Sequence, residues 1–302
     1  MSERYPHTRF HATHGALIIR DGVKICFYMR RPDKEVAHAV SRSLDVYRRA
    51  VGSRALCSYM DLEGYLINLD AQGWERTQRH LLSSSWPRID LVDDAPGVPG
   101  FQFEYHSKAL STPGPFSTPD MVNALGFWLP TEFLEAHGPG HVRELALELA
   151  AILPFNSGHA GLCFNAFRGY RETEEELSRL CLRYPGMDMV ELETLANHLG
   201  TRIKGPAWMT FLGQPVLGEL GGTEGLRARL TSPGTTVQQL EGERAVITLG
   251  PWPEAGDTQE GRNLPEYREL ARLLEPWLYH SRGPWSYFPE DIRQRWERRF
   301  LD

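Results

Sequence analysis

The feature that most constrains this 302-residue chain is a short apolar run, AWMTFL at 207–212, entered through Gly205-Pro206. Pro206 fixes its own φ and pushes the residue before it toward extended backbone. An uncharged run with two aromatics reads as a strand buried on both faces, although a run this short also suits a buried helix segment. Burying Trp208 alone would take roughly 200 Å² of surface out of water. Such a strand needs further layers of structure above and below it. The chain leading to it is punctuated. A helix ends at Tyr184 because Pro185 cannot continue it and Gly186 relaxes the turn, and Gly200 interrupts the middle.

A chain of this length can bury a sizeable core as one large domain or two small ones. Its 41% hydrophobic and 24% charged content are those of a soluble globular protein. A net charge of −6 argues against a general nucleic-acid binder, which carries a basic footprint, and suits a basic partner. Cys26, Cys57, Cys163 and Cys181 form no C-x-x-C pair and read as free core thiols. No secretory signal is visible at the N-terminus, and the longest apolar runs fall far short of the ~20 residues that span a bilayer. The expected location is cytoplasmic, with no membrane partner.

Residues 15–30 open with two apolar runs around Asp21-Gly22, the strongest short hairpin signal a sequence offers. A helix follows from Pro32-Asp33, with Val36, Val40, Leu44, Tyr47 and Val51 on one face and Gly52 ending it. Residues 64–69 read as a strand or as the lead-in to a helix over 71–84. The stretches 89–92 and 102–106 read as strands joined by the turn-rich DDAPGVPG. The segment 111–120, STPGPFSTPD, is the best linker in the chain.

Beyond it the spacing predicts a strand over 122–129, helices over 130–136 and 141–153, a strand over 161–167 and a helix over 171–184. A second hairpin is expected around Glu241-Gly242-Glu243, with helices over 265–274 and 289–301. Strands in tight-turn pairs and helices in blocks argue for an α+β class. The expected architecture is two loosely similar halves, residues 1–110 and 121–302, each a mainly antiparallel sheet with helices packed on a face.

Motifs for chemistry are mostly missing. His7, His11 and His14 lie in a polar tail, and Gly138-Pro139-Gly140 breaks any helix joining His137 to His141, so no metal site is expected. Asn156-Ser157-Gly158-His159 is not a nucleophile elbow and reads as a turn. Gly221-Gly222 reads as a turn between helices capped by Thr223. No catalytic residue and no cofactor is expected; the competing reading is a small hydrolase or transferase using scattered carboxylates and His159. Charge distribution says more. Residues 1–60 hold 11 basic and 5 acidic side chains, whereas residues 61–140 hold 4 and 11.

Four motifs come in order between residues 183 and 267: RYPGMD at 183–188, IKGPAWMTFL at 203–212, GPWPEAGD at 250–257 and LPEY at 264–267. Together they resemble the type VI secretion immunity family, bacterial proteins that neutralise a cognate toxic effector. The resemblance implies a partner encoded nearby, among which are nucleases of restriction-endonuclease type, and inhibition by covering the toxin's active or substrate-binding surface. Arg183, Pro185, Gly186, Asp188, Lys204, Gly205, Trp208, Gly250, Pro251 and Asp257 of these motifs are expected to form the shared scaffold. Contacts to a basic nuclease cleft are expected instead at the acidic turn and helix start: Asp90, Asp93, Asp94, Glu172, Glu174, Glu175 and Glu176. The stripe Ile292, Trp296 and Phe300 could dock on a partner or close a homodimer; packing on its own domain is the expected use.

Overall fold

The computed structural model describes residues 4–61, 63–111, 114–115, 117–167, 171–281 and 288–302. The chain begins with β1 (Arg9–His11), β2 (Leu17–Met29), α1 (Asp33–Val51), β3 (Ser58–Met60), β4 (Leu66–Asn68), α2 (Ala71–Ser83), β5 (Arg88–Val92) and β6 (Gln102–His106). It continues through β7 (Asn123–Pro130), α3 (Thr131–Ile152), β8 (Ser157–Ala166), α4 (Arg171–Arg183), α5 (Leu192–His198) and β9 (Met209–Leu212). It closes with α6 (Val216–Glu219), α7 (Gly222–Arg229), β10 (Thr235–Leu240), β11 (Arg244–Leu249), α8 (Pro265–Leu274) and α9 (Glu290–Glu297).

The α+β class holds, and the strands of both stretches lie in one sheet. Its order is β10-β11-β9-β8-β2-β7-β6-β5-β3-β4, with β1 added beside β2 and every ladder antiparallel. Strand β2 pairs with β7 along 22–29 and with β8 along 19–28, so it joins the N-terminal strands to the later ones. The segment 111–120 therefore connects two neighbouring strands, β6 and β7, of that sheet; its positions 112, 113 and 116 lie outside the described residues.

The hairpin expected at Asp21-Gly22 does not form: both residues sit inside the 13-residue strand β2. Tertiary contacts replace the local turn preference. The Asp21 carboxylate is fully buried and accepts from Thr8 N at 2.7 Å and Thr131 Oγ1 at 2.6 Å, and it is paired with Arg9. A Cβ on Gly22 would lie 2.8 Å from the Leu129 carbonyl oxygen and 3.0 Å from the Trp128 ring, so only glycine lets β7 approach.

Alternation along the strands gives the sheet two unlike faces. Val23, Ile25, Phe27 and Met29 join Phe103, Tyr105, Leu125 and Phe127 in the main core under α1 and α3. The other face changes along the sheet. At the β11 end, Leu212, Ala245, Ile247 and Leu249 pack under α6, α7 and α8. In the middle, Cys26, Tyr28 and Ala124 lie under α5. At the β5–β6 end polar side chains line an open concavity.

Most elements follow their sequence signals, with local differences. Residues 131–152 divide into two helices at Gly138, whose φ of 78° and ψ of 164° are not helical, as the sequence suggested. The 156–159 stretch is strand rather than turn: Ser157 opens β8 and both Ser157 and His159 are buried. Gly221 adopts the left-handed turn expected between α6 and α7, but Thr223 makes no side-chain cap. Helix α9 stops at Glu297, short of 301; Trp296 within it and Phe300 in the turn after it are 2% and 3% exposed, packed on their own chain. All four cysteines are free, and three are buried.

Asp21→Ala should remove one of the two carboxylate partners of Arg9, the other being Glu132, and leave two donors unpaired, lowering the unfolding free energy by about 2–4 kcal/mol in urea titrations. Gly22→Ala should also destabilise by forcing β7 outward. A loss below ~0.5 kcal/mol for both would mean that local strand propensity, not this contact, holds β2 straight.

Candidate functional site

Two parts of the polar face hold charged groups, and they differ in access. The enclosed part contains the family-motif residues. Asp188 pairs with Lys204, with Arg299 at 3.5 Å and with His159 Nε2 at 3.9 Å, and its backbone N–H and C=O bond to β8 at Leu162 and Phe164. Burial works against the Asp188 charge, but Lys204 and Arg299 hold its carboxyl below the usual carboxylate range. Burial, with Lys204 and Lys24, drives His159 down to about 4 despite Asp188, so it is neutral at pH 7. The Trp296 ring lies 4.6 Å from Lys204 Nζ and 3.9 Å from the Arg299 guanidinium, which ties α9 to this cluster.

The remaining motif residues brace the same layer. Arg183 forks onto the buried Asp257 at 2.8 and 3.1 Å. The Pro185 carbonyl accepts from Arg299 Nε at 2.8 Å, and a Cβ on Gly186 would lie 2.1 Å from the Glu254 carbonyl oxygen. Trp208 is 1% exposed and donates to the Gly250 carbonyl at 3.2 Å, Gly250 having φ 73°. Lys204 and Gly205 border a narrow cleft against α9, whereas Pro251 is exposed.

The open part is a groove of about 360 Å³ on β5, β6, β7 and β2, walled by the 93–99 loop on one side and by Val190, Leu192 and Glu193 on the other. Asp90 on β5 stands directly opposite Glu104 on β6. Like charges so placed repel. Lys24 answers them from the floor of the groove: its Nζ lies 2.6 Å from Glu104 Oε2 and 5.1 Å from the centre of the Trp128 ring. Asp90 accepts from Gln102 Nε2 at 2.8 Å. Burial first, and then Glu104, push the Asp90 carboxyl up to about 6. His106, beside Glu104 on the same face, is 7% exposed and is held neutral, down to about 4, chiefly by burial. Arg88 reaches Glu193 at 3.3 Å across the groove mouth. A second hollow of about 310 Å³, between β3, α2 and β5, shares Met60, Arg88 and Asp90 with the groove.

The acidic residues singled out in the sequence part company here. Asp90 lines both hollows and Asp93 the rim of the groove. Asp93 accepts from Gly100 N at 3.0 Å and Phe101 N at 2.9 Å, so it shapes the loop, while Asp94 is exposed. Glu172, Glu174, Glu175 and Glu176 lie on α4 and line neither hollow. Glu175 and Glu176 are paired with Arg171 at 2.7 Å and Arg179 at 3.0 Å on their own helix, and Glu172 accepts from Thr13 at 2.7 Å. Lys24, Glu104, His106 and Glu193 were not singled out in the sequence. The alternation in QFEYH, with Gln102, Glu104 and His106 on one face, is the signal that could have found two of them.

Raising a carboxyl pKa on folding means that the folded state binds the extra proton between the unfolded value, about 4, and the folded one. The cost to stability is absent below pH ~4, grows as pH rises, and is complete above the folded value. Asp90→Asn should therefore stabilise the fold at pH 7.5 by about 1–3 kcal/mol and leave it unchanged near pH 4. Urea unfolding at the two pH values reads this, and a pH-independent difference would contradict it.

No curated protein matches this sequence. The structure resembles the Pseudomonas aeruginosa T6SS protein PA0821, with a TM-score of 0.79 and 20% identity over 98% of this chain and 88% of that one, a likeness of fold. The family model TsiV, described as type VI immunity for VRR-NUC, matches residues 39–300. With that match running from α1 to α9, the chain belongs to the TsiV family of type VI immunity proteins against VRR-NUC nuclease effectors.

Proposed function

We propose that the chain is a stoichiometric, non-catalytic inhibitor that covers the nucleic-acid-binding surface of its VRR-NUC effector with the β3–β5 end of its sheet. A nuclease presents positive potential to phosphates. This end presents the opposite sign, in the part of the chain where 11 acidic side chains face 4 basic ones. It also carries the anchors that interfaces use: Tyr65, Leu66 and Trp86 are 69%, 59% and 59% exposed, with Met60, Ile67 and Leu82 near them in the fold. Trp86 holds φ 65°, an uncommon backbone setting for a bulky residue, with its ring in solvent. This exposed apolar cluster beside the acidic groove is the observation that carries the reading.

The family-motif residues then serve as scaffold, bracing the layer on the opposite half of the polar face. Asp90, Asp93 and Asp94 belong to the contact side, while Glu172, Glu175 and Glu176 are engaged by Thr13, Arg171 and Arg179 and, with Glu174, lie on α4 away from both hollows. The inhibitor acts in the cytoplasm, where the effector meets DNA, and is encoded beside it. We place no homodimer at the α9 stripe, because Trp296 and Phe300 are already used internally.

Titrating the purified chain into the active effector should abolish cleavage at one equivalent, and co-expression should rescue growth. Complete inhibition by a small fraction of an equivalent would point to a catalytic inhibitor and defeat the reading. Trp86→Gly combined with Leu66→Asp should weaken effector binding at least about tenfold, ~1.4 kcal/mol, with the urea midpoint unchanged or raised. Native affinity in that variant would remove this end of the sheet from the interface.

A further inference from the structure

We infer that the effector adds a β-strand of its own to the β4 edge of the sheet, so that main-chain hydrogen bonds carry part of the recognition. This deepens the proposed interface and rests on that reading. Strand β4 ends the sheet on this side, and among the described residues no strand lies beyond it. It pairs with β3 as Ser58 opposite Asn68, Tyr59 opposite Ile67 and Met60 opposite Leu66. The Asp61 N–H donates to the Tyr65 carbonyl at 3.0 Å, and the Leu69 N–H to the Cys57 carbonyl at 2.7 Å. Hydrogen-bonded pairs recur at every second residue of an antiparallel ladder. Tyr59–Ile67 is therefore the bonded pair between those two, and the N–H groups of Leu66 and Asn68 turn away from β3. The Leu66 carbonyl turns the same way; the Asn68 carbonyl lies near Gly73 in the first turn of α2. All three residues of β4 are exposed, so this outward row is open to a partner.

Both ends of the edge are held in place, which lowers the ordering cost of docking a strand on it. At the hairpin end the Asp61 carboxylate accepts from Glu63 N at 3.0 Å and Tyr65 N at 2.8 Å. At the other end Leu69 is buried in the main core, and Asp70 caps α2 by accepting from Gly73 N at 2.8 Å. Side chains offer the added strand a surface on each face. Leu66 and Met60, opposite each other, both line the groove, while Ile67 stands beside Tyr59 on the other face. An incoming strand with alternating apolar residues would extend both surfaces.

Charge selects the occupant. Residues 58–75 hold Asp61, Glu63, Asp70 and Glu75 and neither lysine nor arginine. The cations that follow on α2 are turned inward on this chain, Arg76 onto the Tyr59 hydroxyl at 2.9 Å and Arg79 onto Glu75. A second copy of the chain would bring the same acid to the same edge and be repelled. A strand flanked by the phosphate-binding cations of a nuclease would be drawn to it.

Two measurements test this. In amide exchange followed by NMR, Leu66 and Asn68 of the free chain should exchange faster than Ile67. Binding of the catalytically inactivated effector should slow both at least about tenfold. By calorimetry, Leu66→Pro should bind that effector at least about tenfold more weakly than Leu66→Ala, because proline also removes the outward donor. The two variants should share one urea midpoint; if Leu66→Pro fails to fold, exchange in the native complex decides alone. Unchanged exchange at both amides, or equal affinity of the two folded variants, would overturn strand addition and leave the immunity reading intact. Protection of these amides in the concentrated free chain, lost on dilution, would overturn it in favour of a second copy. Failure of the native chain to bind the effector would overturn both readings.

Discussion

The constraint on which the rest of the structure depends is the continuity of β2 through Asp21-Gly22. That dipeptide would end a strand in most settings, because it readily forms the turn that closes a hairpin. Here the Asp21 side chain is buried among donors from β1 and the start of α3, and Gly22 leaves room for β7. Keeping the strand straight lets one segment pair with β7 on one side and β8 on the other. Without it the sheet would divide at its centre, and the enclosed and open halves of the polar face would lose their common floor. Lys24 shows the dependence directly: it lies three residues beyond Asp21 on the same strand and serves the groove from there.

The polar face holds charge in two ways, with different consequences. Around Asp188 the carboxylate meets two cations and an aromatic ring, and motifs distant in sequence are brought together by the arrangement. Breaking one member of such a buried set is costly because its partners stay charged with nothing to face. Around Asp90 the arrangement differs. One carboxylate stands opposite another across paired strands, and burial together with Glu104 pushes the Asp90 carboxyl up, which works against stability at neutral pH. Residues retained against the interest of stability are found at binding surfaces, where the penalty is recovered on complex formation.

What could be read from the sequence follows the range of the interactions involved. The first and last turns of α1 and α8 were legible because Pro32, Gly52 and Pro265 act within a turn of themselves. The strand Met209–Leu212 that follows Trp208 was legible because its burial on both faces gives an apolar run, although the strand is shorter than that run. Asp21-Gly22 misled because the same local signal serves a turn or a buried strand, and residues more than 100 positions away decide which. The groove was half legible. Asp90 stood out as acid, but its opposition to Glu104 depends on the β5–β6 register, and Lys24 arrives from a strand on the far side of β7. The glutamates of α4 stood out as a run, yet a run says nothing about which arginines the helix itself supplies at three and four residues' distance.

The two edges of the sheet are finished differently, and the contrast bears on which end meets a partner. At one edge, β10 alternates half-buried and exposed residues and shows mainly threonine and glutamine to solvent. At the other, β4 is exposed along its whole length with Leu66 and Ile67 on it and neither lysine nor proline to discourage pairing. A bare apolar edge invites further strands, and soluble proteins ordinarily blunt it. Its short length limits the hazard, and the acidic residues gathered around the adjoining hollows repel a second copy of the same surface. A basic partner meets no such repulsion. On the proposed reading, the combination of an open edge, exposed aromatics and an excess of carboxylates discriminates by charge, favouring a protein built to hold phosphates over a second copy of the same surface.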